Sequence, residues 1–256
     1  MTIAEKINGE RAVVLGWGRA ILLQLAHPLV AAGVAEHSRL ASHRIARLGR
    51  LHSTVRAMRR LTFGDEHAVL RTAASINAIH DRVNGTLRLA SGLFPEGTRY
   101  SATDPALLAW VHATLLDSLP LAYEQFVGPL TETEKDSFCA ESAPAARLLR
   151  IPEDIIIFSR AQLDRYMRGM LSSPQIAVAS TARQLASDLL YPPLTDATRP
   201  AAWLMRLVTL GLLPATIREA YGFPWRSGDE RRFERLSAAL RRLRKHVPAS
   251  LARWSG

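Results

Sequence analysis

Three short motifs carry the residue types that could do chemistry: Arg50-x-x-x-Thr54, His80-x-x-Val83 and Trp110-Val111-His112. Each histidine falls in a stretch that reads as helix with an apolar face. Val69, Ala73, Ile76, His80 and Val83 recur at spacings of four, three, four and three, the period of one helical face. A buried neutral imidazole is a common way to hold a metal. Two such histidines below an arginine–threonine pair suit an iron-porphyrin pocket. The alternative for each is a core histidine satisfied by hydrogen bonds, and spacing alone leaves both readings open.

His112 shares its face with Leu108, Leu115 and Leu119, surroundings that favour the neutral ring. Asn77, one turn from His80, is a local candidate to fix that ring's tautomer, and Asn84 lies one turn beyond. Arg50 and Thr54 sit four apart on one helical face. An arginine there could bind carboxylates or a developing oxyanion, or it could be solvated. His27-Pro28 and Glu36-His37 flank the small-residue stretch Ala31-Ala32-Gly33-Val34-Ala35, which permits close approach of a planar cofactor or another helix. Glu36 is a candidate acid or base, or simply an ion-pair partner. The candidate set is therefore Arg50, Thr54, His112 and Glu36 for catalysis and His80, Arg50, Asn77, Asn84 and His27 for cofactor binding. His80 is the candidate metal ligand.

The elements that must position these residues read as helical almost throughout, with no convincing alternating strands. Helices are expected from about Asn8 to Leu25, Ser42 to Leu61 and Glu66 to Asn84, the last stopped by Gly85. Asp104-Pro105 opens a long apolar helix to about Phe126 with a kink at Pro120. Thr131-x-x-Glu134 is a capping box for a helix that Pro144 should end or bend. A last helix, Asp229 to Lys245, turns Phe233, Leu236, Leu240 and Leu243 inward and its arginines outward. The expectation is one all-α domain, residues 1–256, of roughly ten helices around a buried haem pocket.

The chain has 256 residues, 48% apolar, enough for one sizeable core. Its single cysteine, Cys139, excludes an internal disulfide framework and a cysteine-based zinc site. There is no Cys-x-x-Cys-His, so any haem is held non-covalently. The net charge is +10, mostly from arginine. That admits a nucleic-acid or acidic-membrane partner, but no helix-turn-helix pair is evident. The termini and apolar runs predict no signal peptide and no transmembrane span, hence a cytoplasmic protein. The helix signatures of di-iron bundles, His-Glu-x-x-His zinc sites, phosphate loops and nucleophile elbows are absent. Gly16-Trp17-Gly18 lacks the strand and third glycine of a dinucleotide fingerprint.

Taken together, Leu15-Gly16-Trp17-Gly18-Arg19-Ala20-Ile21-Leu22-Leu23-Gln24-Leu25-Ala26-His27-Pro28, Arg50-x-x-x-Thr54, Ile79-His80-x-x-Val83, Tyr100 to Pro105 with Trp110-Val111-His112, and Arg218-Glu219-Ala220-Tyr221-Gly222 resemble the latex-clearing-protein and MpaB oxygenase family. The resemblance implies an all-helical fold around haem b. It also implies a reaction with dioxygen on a hydrophobic small molecule, which in rubber-cleaving members is cleavage of isoprenoid double bonds to carbonyl products. It places the axial ligand on His80, pocket residues on Arg50 and Thr54, the later histidine on His112, and the proposed acidic base near Glu36. The rubber-cleaving members differ in having a histidine where Asn77 stands, an arginine at Asn84 and a lysine at Ser53. A haem scaffold is thus better implied than rubber cleavage, and a haem-binding protein without catalysis is the alternative.

Overall fold

A computed structural model describes residues 1–39, 56–191 and 199–254. Arg50 and Thr54 lie outside the described residues. The chain begins with α1 (Ile3–Asn8), a 3-10 turn (Arg11–Gly16), α2 (Trp17–Leu25) and α3 (Pro28–Arg39). It continues with α4 (56–63), α5 (Glu66–His80), the strands β1 (Asn84–Thr86) and β2 (Arg99–Ser101), α6 (Pro105–Phe126) and α7 (Glu132–Leu148). After a second 3-10 turn (Glu153–Ile155) come α8 (Arg160–Ser172), α9 (Ser180–Leu190), α10 (Arg199–Leu212), α11 (Ala215–Ala220), α12 (Ser227–His246) and α13 (Ala249–Ala252).

The local signals act where the sequence puts them. Asp65 accepts from the Ala68 amide and Asp104 from the Ala106 amide, with Pro105 in the first turn. Thr131 and Glu134 close their capping box. These bonds satisfy amides that a helix start leaves orphaned. Four expectations are corrected. The first helix is three pieces, the middle one 3-10. α5 ends at His80, four residues early, because the chain turns to pair Asn84–Ser101, Gly85–Tyr100 and Thr86–Arg99 in an antiparallel hairpin. α7 does not end at Pro144 but runs through it to Leu148, at the cost of the one backbone bond a proline removes. Leu243 is exposed, and Arg244 turns to the buried Glu10 instead of outward.

α6 is the central post. It is long and apolar enough to cross a membrane, yet 72% of its apolar window is buried inside the protein, as suits a core helix. Trp110, Ala113, Leu116 and Leu119 pack there with Trp17, Leu22, Phe138 and Leu163. The two early glycines explain how α2 comes so close. A Cβ on Gly16 would lie 2.8 Å from the Ser118 carbonyl of α6, and one on Gly18 only 2.1 Å from Thr209 Oγ1 of α10. They are packing glycines, not a phosphate loop. Gly18→Ala is therefore expected to cost about 1–3 kcal/mol through overpacking, read by urea denaturation. Thr209→Ala in the same chain should recover part of it. A stability equal to the parent's would refute this account of the crossing.

Candidate functional site

The break between α2 and α3 turns the chain by 106°. His27 sits at the corner, 2% exposed. Its Nδ1 accepts from the Leu29 amide at 3.3 Å and its ring lies 5.2 Å from that of Phe94. With Nδ1 accepting, the proton is on Nε2, so this ring has no lone pair left for a metal. His27 contributes a cap and a wall. Burial pushes its pKa down to about 4.

α3 then passes the hairpin. Gly33 makes that approach possible, since a Cβ there would already touch Val83 and Tyr100 at 3.2 and 3.5 Å. The small-residue stretch thus receives the hairpin. Glu36, on the next turn, accepts from the Tyr100 hydroxyl at 2.6 Å and faces Arg88 at 3.4 Å. Gly85 leaves room for the pair, as a Cβ there would stand 2.6 Å from the Tyr100 oxygen. Burial, with Glu36 adding to it, raises the Tyr100 pKa to about 12, so this hydroxyl stays a donor. Spacing assigns Tyr100 no role; Gly33 and Gly85 are the signals of a bulky neighbour.

His80 occupies the last position of α5 and is half-buried. Its Nδ1 is buried and has no hydrogen-bond partner among the described residues. Burial holds its pKa below the ordinary histidine value; Asp81 opposes this and Arg150 adds to it. The expected local partner is committed elsewhere. Asn77 is buried, and its amide donates to the Leu148 carbonyl of α7 at 2.9 Å. Asn84 is exposed in β1 rather than one turn along the helix. Of the two asparagines, one ties α5 to α7 and the other faces solvent.

His112 lies mid-way along α6, beside Val111 and within a turn of Leu115; all three are only partly buried in a helix otherwise packed on most sides. Yet burial alone pushes the His112 pKa down to about 4. Among the described residues its nitrogens form no hydrogen bond. Gln24 of α2 sets the register of this stretch, donating to Thr114 Oγ1 at 3.0 Å and to the Val111 carbonyl at 3.5 Å.

The donor set suits a particular kind of cofactor. Among the described residues no three histidine, cysteine, aspartate or glutamate side chains gather to hold a bare ion. A porphyrin brings four nitrogens of its own and asks the protein for one axial ligand. An imidazole with a buried nitrogen unpartnered among the described residues, on a helix end, fits that requirement.

Residues 6–242 match the family described as ER-bound oxygenase mpaB/B'/rubber oxygenase, catalytic domain. The chain belongs to this MpaB/rubber-oxygenase family. Two proteins described as uncharacterized, one from Mycobacterium bovis and one from Mycobacterium tuberculosis, are each 27% identical over 235 residues. The alignment covers 89% of this chain and 87% of each relative. No solved structure matches. The family's description as ER-bound overturns the expectation of a cytoplasmic protein. The remaining MpaB-like motif, Arg218 to Gly222, is architectural. Arg218 donates to the Leu210 carbonyl at 2.8 Å and lies over the Trp225 ring, Tyr221 donates to the Leu22 carbonyl at 2.7 Å, and Gly222 turns the chain at φ 75°.

The two deeply depressed histidines make stability pH-dependent. In the unfolded chain both protonate near 6.5, whereas in the folded chain they stay neutral down to about 4. The unfolded state therefore binds more protons between those values, and stability falls as pH falls through that window. For His27 alone the loss is roughly 3 kcal/mol. Urea denaturation from pH 7.5 to 4.5 should show it, and His27→Gln should flatten the curve. An equally steep curve in His27→Gln would contradict the assignment.

Proposed function

We propose that this chain is a haem b-dependent oxygenase that acts with dioxygen on a hydrophobic small molecule, the whole of residues 1–256 forming one catalytic domain. The observation that carries the reading is the buried Nδ1 of His80, unpartnered among the described residues, in a chain of an oxygenase family. His80 would hold the haem iron. Haem, when bound, supplies the oxygen chemistry; the protein supplies binding, orientation and exclusion of water.

The chain's own residues then have defined tasks. His112, neutral at physiological pH, can accept at one nitrogen and donate from the other. The Leu, Val and Ala side chains of α2, α3 and α6 give the helical interior an apolar character that suits a hydrophobic substrate. Glu36 keeps the Tyr100 hydroxyl oriented and protonated, and with Gly33 it fixes the hairpin against α3. Its carboxylate is a proton acceptor only after that bond opens. Arg50 and Thr54 are proposed from the family resemblance to anchor a haem carboxylate or to polarise dioxygen. Asn77 and Asn84 serve, respectively, helix packing and a solvent-facing strand.

The test is the absorption spectrum and pyridine haemochrome of protein expressed with adequate iron and haem precursor. A stoichiometric b-type spectrum, followed by oxygen consumption with an unsaturated apolar substrate, is the expected result. A colourless protein that also refuses added hemin would overturn the reading.

A further inference from the structure

The strap that follows α12 lies beyond residues 6–242, the part matched to the family, and it closes on the opposite end of the chain. Arg253 forms an antiparallel bridge with Glu10, and the Trp254 amide donates to the Gly9 carbonyl at 2.9 Å. Arg11 Nε donates to the Arg253 carbonyl at 3.2 Å. The Arg253 guanidinium donates to the Glu5 carbonyl at 3.1 Å and lies 3.7 Å from the Glu10 carboxylate. Gly9 admits it, since a Cβ there would stand 2.8 Å from that guanidinium. Glu10 is 2% exposed and already holds Arg244 in a two-bond fork at 2.7 and 2.8 Å. The strap therefore docks on a fixed anchor.

What it presents there is Trp254. The guanidinium of Arg11 lies 4.6 Å from its ring and that of Arg59 lies 4.9 Å from it. Arg59 belongs to α4, whereas Arg11 opens the 3-10 turn. One indole thus joins α4 to the N-terminal core. A cavity of about 20 Å³, room for a single water, lies beneath, between Trp254, Arg59, Met58, Trp17 and Glu10. A second tie, from Asn8 to Thr62 at 3.1 Å, runs alongside. α4 leads into α5 through Gly64 and Asp65 only. That corner is tight, because a Cβ on Gly64 would meet the Arg60 carbonyl at 2.4 Å. A shift of α4 is carried into α5, and α5 ends in His80.

We propose that Trp254 is a positioning residue. The strap 248–254 is a latch that clamps α4 to the N-terminal core through Arg59 and thereby fixes the α4–α5 pair that carries His80. The link to cofactor retention rests on the haem reading above; the clamp itself does not.

The test compares full-length parent, Trp254→Ala, Trp254→Phe, Arg59→Met and the Trp254→Ala/Arg59→Met double variant by amide hydrogen exchange. Trp254→Ala should speed exchange in residues 56–63 and in α5 by roughly tenfold, as expected for losing two cation–π contacts, with α9 and α10 unchanged. Trp254→Phe should restore much of the protection. The double variant should lose less than the sum of the two single effects, since both singles remove the same Trp254–Arg59 contact. Unchanged exchange in residues 56–63, or additive single effects, would overturn the latch. Faster exchange in residues 56–63 with α5 unchanged would overturn its coupling to His80. Hemin loss to a competing apo-haem protein should be several-fold faster in Trp254→Ala, and equal rates would also overturn that coupling. A parent that takes up no hemin removes the haem reading, and the exchange rates then decide the latch by themselves. Should Trp254→Ala fail to fold, Arg59→Met is read in its place.

Discussion

His80→Ala is expected to emerge from purification without haem, whereas His112→Ala retains it with a shifted absorption spectrum. The asymmetry follows from where the two rings stand. Among the described residues no group satisfies the buried Nδ1 of His80, so on the proposed reading its removal takes away the iron's ligand and puts nothing in its place. His112 stands mid-way along α6, with its pKa held near 4 by burial, and on the proposed reading its removal changes the surroundings of the haem rather than its attachment. The loss of hemin affinity in His80→Ala should exceed the roughly 10–100-fold typical of removing a ligand's hydrogen-bond partner. Added imidazole should restore the spectrum by entering the space the side chain leaves. Full haem occupancy in purified His80→Ala would refute the ligand assignment outright. Asn77→Ala separates packing from ligation. It removes the bond to the Leu148 carbonyl and should destabilise the fold by about 1–3 kcal/mol while the spectrum of the folded fraction stays that of the parent.

The same residues mark how far a sequence alone can be read. The caps at Asp65, Asp104 and Thr131 are bonds between neighbours in the chain, and composition at two or three positions determines them. The apolar stripe of α5 is likewise local, and it puts His80 at a partly buried position. The choice of partner is not local. Asn77 reaches Leu148 across 71 residues, and Glu36 meets Tyr100 across 64. Each such pairing is decided by how α3, α5, the hairpin and α7 stack, and no spacing rule encodes that. The end of α5 departs from expectation for the same reason. Gly85 has the character of a residue that stops a helix, but it lies in a strand where its lack of a side chain admits Tyr100. His27 illustrates the converse. Its proline neighbour announces the break, but the cap it forms needs the 106° turn to bring Nδ1 onto the Leu29 amide.

Arg19 provides the largest stability effect. It is 5% exposed and spends its whole fork: Nε on the Leu212 carbonyl at 2.8 Å, one terminal nitrogen on Ser118 Oγ at 2.7 Å, the other on Asp117 at 2.5 Å. Three elements, α2, α6 and the end of α10, are thereby set in register. Arg19→Ala leaves the Asp117 carboxylate, itself largely buried, with the longer 3.7 Å contact to Arg160 among the described residues, and strips the Ser118 and Leu212 oxygens of a donor. Breaking a buried pair from one side costs about 3–5 kcal/mol, because the surviving charge stays desolvated. Urea denaturation should show a loss of that order, and Arg19→Lys should recover only part of it, since an ammonium cannot reproduce a planar fork. Replacing both partners, as in Arg19→Met/Asp117→Leu, should be much closer to the parent, because no stranded charge remains. A double variant as unstable as Arg19→Ala would mean that the register of α2 on α6, not the charge, is what Arg19 secures. The two cases also separate at the site. α2 carries Gln24, which holds the segment of α6 next to His112, so a register error should broaden the haem spectrum of the folded fraction, whereas a pure charge effect should leave it unchanged.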